Sequence, residues 1–172
     1  LNIIKFLPDE SVEIEPVICD PRVIKTIEDN TLLFYTSIKR DASNILEQQN
    51  KFPESKRNNL KTLRDLALDL SKIINTGKHL HKFGKILHEG WIIKKSISDS
   101  ISSKKIDNYY NKAIKAGALG GKILGAGGGG FILLYVEKDK QKNVINVLSD
   151  LFLLDFKFDT SGTRITYYDN NP

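Results

Sequence analysis

The stretch GGKILGAGGGGFILLYV, from Gly120 to Val136, decides how this chain folds and where its functional site is expected. Eight of the twelve glycines in the 172-residue chain lie between Gly117 and Gly130, and four of them are consecutive. Glycine loses more backbone freedom on folding than any other residue. Such a concentration therefore indicates tight backbone geometry, close approach of a ligand, or both.

The glycine stretch permits three interpretations. Gly125, Gly127 and Gly130 satisfy G-x-G-x-x-G, but a dinucleotide-binding turn opens a helix, and the β-prone run FILLYV follows here instead. A Walker A loop needs Ser or Thr after Gly-Lys, where this chain has Ile123. The third interpretation is a β-hairpin with an almost all-glycine turn. Such a turn is either an anion-binding nest or a packing turn pressed against a neighbouring domain.

The apolar pattern around the glycine stretch predicts an α+β fold. Strands are expected at Thr31–Ser37, on both sides of the glycine turn, and in the runs LLDFKFD and TRITYY, which should pair around Thr160, Ser161 and Gly162. Helices are expected in SIKRDASNILEQQ, NLKTLRDLALDLSKII, HLHKFGKILHEGWIIKK, IDNYYNKAIKAG and KDKQKNVINVLSDL. This order is the ferredoxin-like split β-α-β-β-α-β pattern, with extra helices in the first crossover.

Composition narrows the classes of function. The net charge is +5, but the lysines are spread along the chain among Asp and Glu, which argues against a nucleic-acid partner. Cys19 is the only cysteine, as expected in a reducing, cytoplasmic compartment. We expect no membrane partner, because no apolar run reaches the ~18 residues of a membrane span. The chain begins at Leu1 and contains no Met, so we expect a piece of a longer protein.

The glycine stretch also resembles the third signature motif of the GHMP kinases, a superfamily that includes galactokinase, homoserine kinase and mevalonate kinase. That motif reads K-x-T-G-A-G-G-G-G and is followed by a small residue and a strand. This chain has Leu124 in place of the threonine and Phe131 in place of the small residue. The matching residues are Lys122, Gly125, Ala126, Gly127, Gly128, Gly129 and Gly130.

The resemblance extends over nearly the whole chain through LLFYTSIKRDASNIL, FGKILHEGWIIKKSIS and FKFDTSGTRITYY, which are similar to the C-terminal half of heptose 7-phosphate kinases, with the fucokinases next. It implies a C-terminal GHMP kinase domain at residues 19–172. Residues 1–18 would then be a hairpin remnant of an absent N-terminal ATP-binding domain. That domain would supply the P-x-x-x-G-L-G-S-S loop, the catalytic aspartate, and most contacts to ATP and Mg²⁺. No catalytic or metal-binding residue is therefore expected in this chain, and the chain alone should be inactive.

By the same resemblance, the complete kinase would transfer the γ-phosphate of ATP to the anomeric hydroxyl of D-glycero-D-manno-heptose 7-phosphate. That product would serve the synthesis of nucleotide-activated heptose for lipopolysaccharide or capsule. The partners would be a phosphorylated sugar and the missing kinase domain. A fucokinase- or galactokinase-type half and a non-catalytic, ferredoxin-like anion-binding module are the alternatives.

Five side chains are candidates for contact with substrates. Lys122 would lie near the ATP phosphates, or else be an exposed strand lysine. Arg40 and Lys94 match basic positions of the heptose kinases, and such groups bind a sugar phosphate through charge-assisted hydrogen bonds, although each could equally be a solvated charge. His88 and Trp91 lie one helical turn apart and could line the sugar pocket, but Trp91 also continues an apolar stripe typical of a core.

Overall fold

The computed structural model describes residues 1–38, 56–125, 127–159 and 162–168. In chain order the described elements are β1 (Asn2–Phe6), β2 (Val12–Pro16), α1 (Pro21–Asp29), β3 (Thr31–Tyr35), α2 (Arg57–Thr76), α3 (His81–Ile97), a 3₁₀ turn (Asp99–Ile101), α4 (Lys104–Lys115), β4 (Gly120–Ile123), β5 (Phe131–Tyr135), α5 (Lys138–Val147) and β6 (Phe152–Leu154). The helix expected in SIKRDASNILEQQ falls on residues outside the described ranges.

The main sheet has four strands in the order β4-β5-β3-β6, and every neighbouring pair is antiparallel. Tyr35 of β3 pairs with Phe131 of β5, and Lys122 of β4 pairs with Leu133. Strand β5 therefore lies between β3 and β4, which agrees with the split β-α-β-β-α-β pattern and confirms the α+β class. The glycine stretch is the connection between β4 and β5, as the hairpin interpretation predicts.

The predicted C-terminal hairpin is wrong. Phe152–Leu154 pairs with β3 instead, and residues 155–159 and 162–168 have no regular secondary structure. Ile165 and Tyr167 are 82% and 80% exposed, so pairing of the two runs would not bury an apolar face. The edge of β3, in contrast, offers free backbone groups beside the buried Phe34. Thr160 and Ser161, the expected turn, lie outside the described residues.

The core lies between the main sheet and the helices that cover it. Phe34 of β3 and Ile132 and Leu134 of β5 are at most 1% exposed. Trp91 of α3 and Tyr110 of α4 are buried in the same cluster. Burial of an apolar side chain of this size contributes about 1.5–3 kcal/mol, so this layer fixes the strands that carry the glycine turn.

Helix α3 crosses β4 at very short range because glycines meet at the crossing. A Cβ atom on Gly84 would lie 2.6 Å from Leu119, and one on Gly120 would overlap the carbonyl oxygen of Gly84. At the far end of α3, Lys56 donates to the carbonyl of Ile97 and thereby ties α2 to α3. The crossing sets the height of α3 above β4.

Within the described residues, no helix is both long enough and apolar enough to span a bilayer.

Residues 2–16 form a separate two-stranded hairpin, as predicted. Ile4 pairs with Ile14 and Phe6 with Val12, and these four side chains share one face, since side chains alternate along a strand. They are between 51% and 80% exposed. On the opposite face Lys5 forms ion pairs with Glu13 and Glu15. The hairpin therefore has one polar face and one apolar face that no described residue covers.

Candidate anion-binding site

The glycine stretch forms a tight turn that begins after β4. The N–H of Leu124 donates to the carbonyl of Phe131 at 2.9 Å, which closes the hairpin. Gly127 and Gly128 then adopt φ angles of 108° and 74°. Residues with a Cβ rarely adopt such a backbone, so only glycine follows this path without strain. Gly125 and Gly130 also have positive φ angles, whereas Ala126 lies outside the described residues.

The turn is pressed against its own domain. The N–H of Gly128 donates to the carbonyl of Ile101 at 2.8 Å, and that of Gly130 to the carbonyl of Ile38 at 3.0 Å. A Cβ on Gly127 would lie 2.8 Å from the Ile101 oxygen, and one on Gly129 would overlap the Ile38 carbonyl. Close packing is thus one reason that the turn is all glycine. The residues packed against it belong to this chain and not to the neighbouring domain that the packing-turn interpretation expected.

Thr36 anchors the far end of the turn. This buried residue donates both its N–H (2.9 Å) and its hydroxyl (2.8 Å) to the carbonyl of Gly130. Its hydroxyl oxygen accepts the N–H of Ile38 at 3.2 Å. Thr36 and the backbone carbonyls of Ile38 and Ile101 were not predicted as supports of the turn. The only local signal was a threonine directly after a buried strand.

The N–H groups of the turn are used alternately. Those of Gly128 and Gly130 bind carbonyls of the domain, whereas none of the backbone hydrogen bonds within the described residues uses the N–H of Gly127 or of Gly129. A buried backbone donor without an acceptor is rare in folded proteins. Successive turn N–H groups form the concave nests that bind anions. Among the described residues, the arrangement therefore leaves two N–H donors without an acceptor, and a phosphate oxygen could accept hydrogen bonds from them.

Two lysines lie beside this turn. Lys94 of α3 donates to the carbonyl of Gly125 at 3.3 Å, and Lys122 is the third residue of β4. Both side chains are half-buried, and neither forms an ion pair with any residue in the described ranges. Burial and the nearby charge of Lys122 lower the pKa of Lys94. Two half-buried cations without an acidic partner among the described residues favour an anion as a third component.

His88 and Trp91 have structural contacts on the inner side of α3. Nδ1 of His88 lies 2.9 Å from the hydroxyl oxygen of Tyr110, and the two rings stack. The Tyr110 hydroxyl also donates to the carbonyl of Gly121 at 3.4 Å, and burial raises its pKa. Trp91 is 1% exposed and packs on Tyr110, as the core interpretation expected. Its indole N–H has no acceptor among the described residues.

The structure thus brings Lys94, Lys122 and Gly125 together at one site, with His88 and Trp91 behind it. Arg40 lies outside the described residues. In the part of the chain that the structure describes, no group of three or more His, Cys, Asp or Glu side chains is placed to hold a metal ion. The described donor set therefore suits an anion and does not fit Mg²⁺.

Comparison with known proteins identifies the domain. A family model described as "GHMP kinases C terminal" matches residues 53–152, more than half of the chain. The chain belongs to the GHMP kinase family. This assignment confirms the resemblance that the glycine stretch carries, and it makes the β4–β5 turn part of a GHMP kinase C-terminal domain.

Two curated relatives of this GHMP kinase domain are sugar kinases by name. D-glycero-alpha-D-manno-heptose 7-phosphate kinase from Campylobacter jejuni is 29% identical over 168 residues, which covers 95% of this chain and 49% of the relative. L-fucokinase/L-fucose-1-P guanylyltransferase from Bacteroides fragilis is 32% identical over 121 residues, 68% of this chain and 12% of the relative. The chain thus spans about half the length of the Campylobacter relative.

A solved structure shares the fold. D-glycero-D-manno-heptose 1-phosphate kinase from Bacteroides thetaiotaomicron superposes with a TM-score of 0.60 at 23% identity, covering 91% of this chain and 42% of the other. At this level of identity the likeness concerns the fold alone. The superposed region is longer than the matched family region, because residues 53–152 make up less than 91% of the chain.

Proposed function

We propose that this chain is the phosphate-binding C-terminal half of an ATP-dependent sugar kinase. The observation that carries the proposal is the meeting of Lys94 and Lys122 with a glycine turn in which the N–H groups of Gly127 and Gly129 have no acceptor among the described residues. Phosphoryl transfer is catalysed largely by positioning and by stabilising negative charge on the phosphoryl oxygens. The rigid turn and Lys122 would supply both of these to the transferred phosphoryl group, and Lys94 would lie beside them for the second phosphate, that of the substrate.

The turn is proposed to contact the phosphates of ATP, with Gly127 and Gly129 as the donors. Because Gly128 and Gly130 are held by Ile101 and Ile38, the donors would need little rearrangement when a phosphate binds. ATP and Mg²⁺ would be held mainly by the other half of the kinase. Mg²⁺ would supply further charge neutralisation there, and the described residues of this chain offer no ligand set for it.

The proposed substrate is D-glycero-D-manno-heptose 7-phosphate, phosphorylated on its anomeric hydroxyl. The support is the Campylobacter relative, whose similarity extends over 95% of this chain. A substrate that already carries a phosphate needs a second cationic group, and Lys94 or Arg40 would bind that phosphate. The product would be an activated-heptose precursor for cell-surface polysaccharide, made in the cytoplasm. A fucokinase-type substrate is the alternative, supported by the Bacteroides fragilis relative.

The apolar face of the hairpin supports the proposal that an N-terminal kinase domain, absent from this chain, packs against it. Ile4, Phe6, Val12 and Ile14 expose their side chains, and a lone two-stranded hairpin is at best marginally stable in water. We infer that residues 1–18 belong to that domain and that its sheet or helices cover this face. The catalytic aspartate and the P-x-x-x-G-L-G-S-S loop would lie in that domain too. The 172-residue chain alone would therefore not phosphorylate a sugar.

A sugar panel tests this function. The protein extended by its N-terminal half is assayed with MgATP and heptose 7-phosphate, unphosphorylated heptose, fucose and galactose, and the chain alone is assayed in parallel. The proposal expects turnover by the extended protein only, with heptose 7-phosphate preferred. Turnover by the chain alone would overturn the two-domain assignment. Phosphate binding by the chain without turnover by the extended protein would favour the non-catalytic anion-binding module.

A further inference from the structure

A groove of about 350 Å³ runs between α2 and α3 beside the anion site. Its walls are aliphatic side chains that are only partly buried: Leu63, Leu66 and Leu70 of α2, and Ile86 and Leu87 of α3. Lys94 and Lys122 belong to the same lining, as does Trp91. The groove therefore joins an apolar surface to two cations, and none of the described residues that line it is acidic.

Gly90 lies in the lining of the groove and adds no side chain to it. A Cβ at this position would lie 3.7 Å from Leu63 and 3.8 Å from Leu66, which is ordinary van der Waals contact. The backbone there is helical, so alanine would be favoured over glycine by about 1 kcal/mol. Gly84 in the same helix is different, since a Cβ there would lie 2.6 Å from Leu119. Packing demands glycine at 84 and does not demand it at 90.

We propose that this groove binds a small organic phosphate with an apolar body, which lies over Gly90 while its phosphate binds Lys94 and Lys122. The apolar body gains from contact with side chains that are otherwise partly exposed to water. Phosphate provides the counter-charge that both lysines lack among the described residues. The buried indole N–H of Trp91 is a further donor in this lining without an acceptor in the described ranges.

A sugar does not suit the aliphatic part of the groove. Its hydroxyl groups would be removed from water against leucine and isoleucine side chains, where they find no hydrogen-bond partners. The occupant of the groove is therefore distinct from the proposed heptose substrate. Because it uses the same lysines, it would exclude a substrate phosphate from them and inhibit the kinase. The inhibitory role rests on the proposed function, whereas the binding itself does not.

Binding is tested on the chain itself with hexyl phosphate, inorganic phosphate and hexanol at constant ionic strength. Trp91 is the only tryptophan of the chain and lines the groove, so its fluorescence reports occupancy. Each buried methylene strengthens binding about fourfold. With several methylenes in the groove, hexyl phosphate should bind at least on the order of tenfold tighter than inorganic phosphate. Hexanol should bind more weakly than hexyl phosphate.

Three variants separate the groove from the lysines. Gly90→Leu fills the groove and should reduce hexyl phosphate binding to the level of inorganic phosphate, which should itself be unchanged. Asn75→Leu adds the same side chain at an exposed, uncharged position of α2 outside the groove and should leave both affinities as they were. The double change Lys94→Ala with Lys122→Ala should weaken both ligands. Calorimetry repeats each titration, so that a fluorescence change caused by the new leucine is not mistaken for binding.

Equal affinity for hexyl and inorganic phosphate would overturn the groove proposal and leave the proposed kinase function intact. Unchanged hexyl phosphate binding in Gly90→Leu would also overturn it. If the extended protein shows no kinase turnover but the chain binds hexyl phosphate tightly, the proposed function is wrong and the groove proposal stands. Vesicles of phosphatidic acid serve as the lipid source of the same chemistry. Binding to vesicles without binding of dissolved hexyl phosphate contradicts the proposal.

Discussion

The hydroxyl of Thr36 donates to the carbonyl of Gly130 at 2.8 Å across a sequence separation of 94 residues. This contact joins the end of β3 to the end of the glycine turn, and the N–H of Thr36 reinforces it on the same oxygen. The Thr36 hydroxyl also accepts the N–H of Ile38, whose carbonyl accepts the N–H of Gly130, so Thr36 positions Gly130 both directly and through Ile38. The rigidity of the candidate anion site therefore depends on a residue that does not itself carry charge.

Replacing Thr36 with Val should destabilise the chain by about 1–3 kcal/mol, because two buried hydrogen bonds lose their shared partner. Urea denaturation measures the change. The matched control is Thr62→Val, since the Thr62 hydroxyl bonds only to the carbonyl of Asn58 on the exposed side of α2. Equal effects at the two positions would mean that Thr36 does not anchor the turn.

Replacing Gly128 with Val should abolish most of the turnover of the extended kinase. The backbone at Gly128 has a φ of 74°, which a β-branched residue strongly disfavours, so the turn must shift. Gly162→Val is the control, because Gly162 has a φ of 67° and no atom lies within 4 Å of its Cβ position. Both changes carry similar backbone strain, and kcat should fall only for Gly128→Val. Similar kcat values in both variants would show that the turn only connects β4 to β5 and does not take part in phosphoryl transfer.

Replacing Lys94 with Ala should raise the KM for heptose 7-phosphate on the order of tenfold to a hundredfold with little change in kcat. A hydrogen bond to a charged group contributes roughly 1.5–3 kcal/mol, and this one would form before and during the reaction. Heptose without the 7-phosphate should bind poorly to the parent enzyme and hardly worse to the variant. If the variant loses both sugars equally, Lys94 acts on ATP or on folding instead.

Phosphate binding by the chain should weaken as the pH rises toward the alkaline range. Burial and the charge of Lys122 hold the pKa of Lys94 below its ordinary value of 10.5, so Lys94 loses its proton earlier than a solvated lysine. The protonated form is the one that attracts phosphate, and affinity should therefore decline through the pKa of Lys94. Lys94→Arg keeps its charge, because guanidinium stays protonated. A pH profile that is identical in parent and Lys94→Arg would show that Lys94 is not in contact with the anion.

The β4–β5 turn was predictable because its signals are local. A β-prone run directly follows the glycines, which rules out the strand–turn–helix arrangement of a dinucleotide site. Lys122 could also be placed near the turn, since it lies three residues before Gly125 in the same hairpin. The position of Lys94 was different. Only the crossing of α3 over β4, made possible by Gly84 and Gly120, brings it to Gly125.

The supports of the turn could not be predicted from side-chain types. Ile38 and Ile101 act through their backbone carbonyls, which every residue has, so their identity gives no signal. The C-terminal hairpin failed for a related reason. Alternation predicts a strand-like run, but it does not state which edge the run will pair with, and β3 had a free edge. Gly90 did not predict the groove either, because a glycine within a helical pattern indicates only a weak helix former.

The most direct test of the account is the response of the turn amides to ATP. In the extended protein labelled with ¹⁵N-glycine, MgATP should shift the amide signals of Gly127 and Gly129, whose N–H groups have no acceptor in the described chain. Gly128 and Gly130, bonded to Ile101 and Ile38, should shift less, and Gly162 should not move. Signals of Gly127 and Gly129 that stay unchanged at saturating MgATP would contradict the claim that this turn binds phosphate.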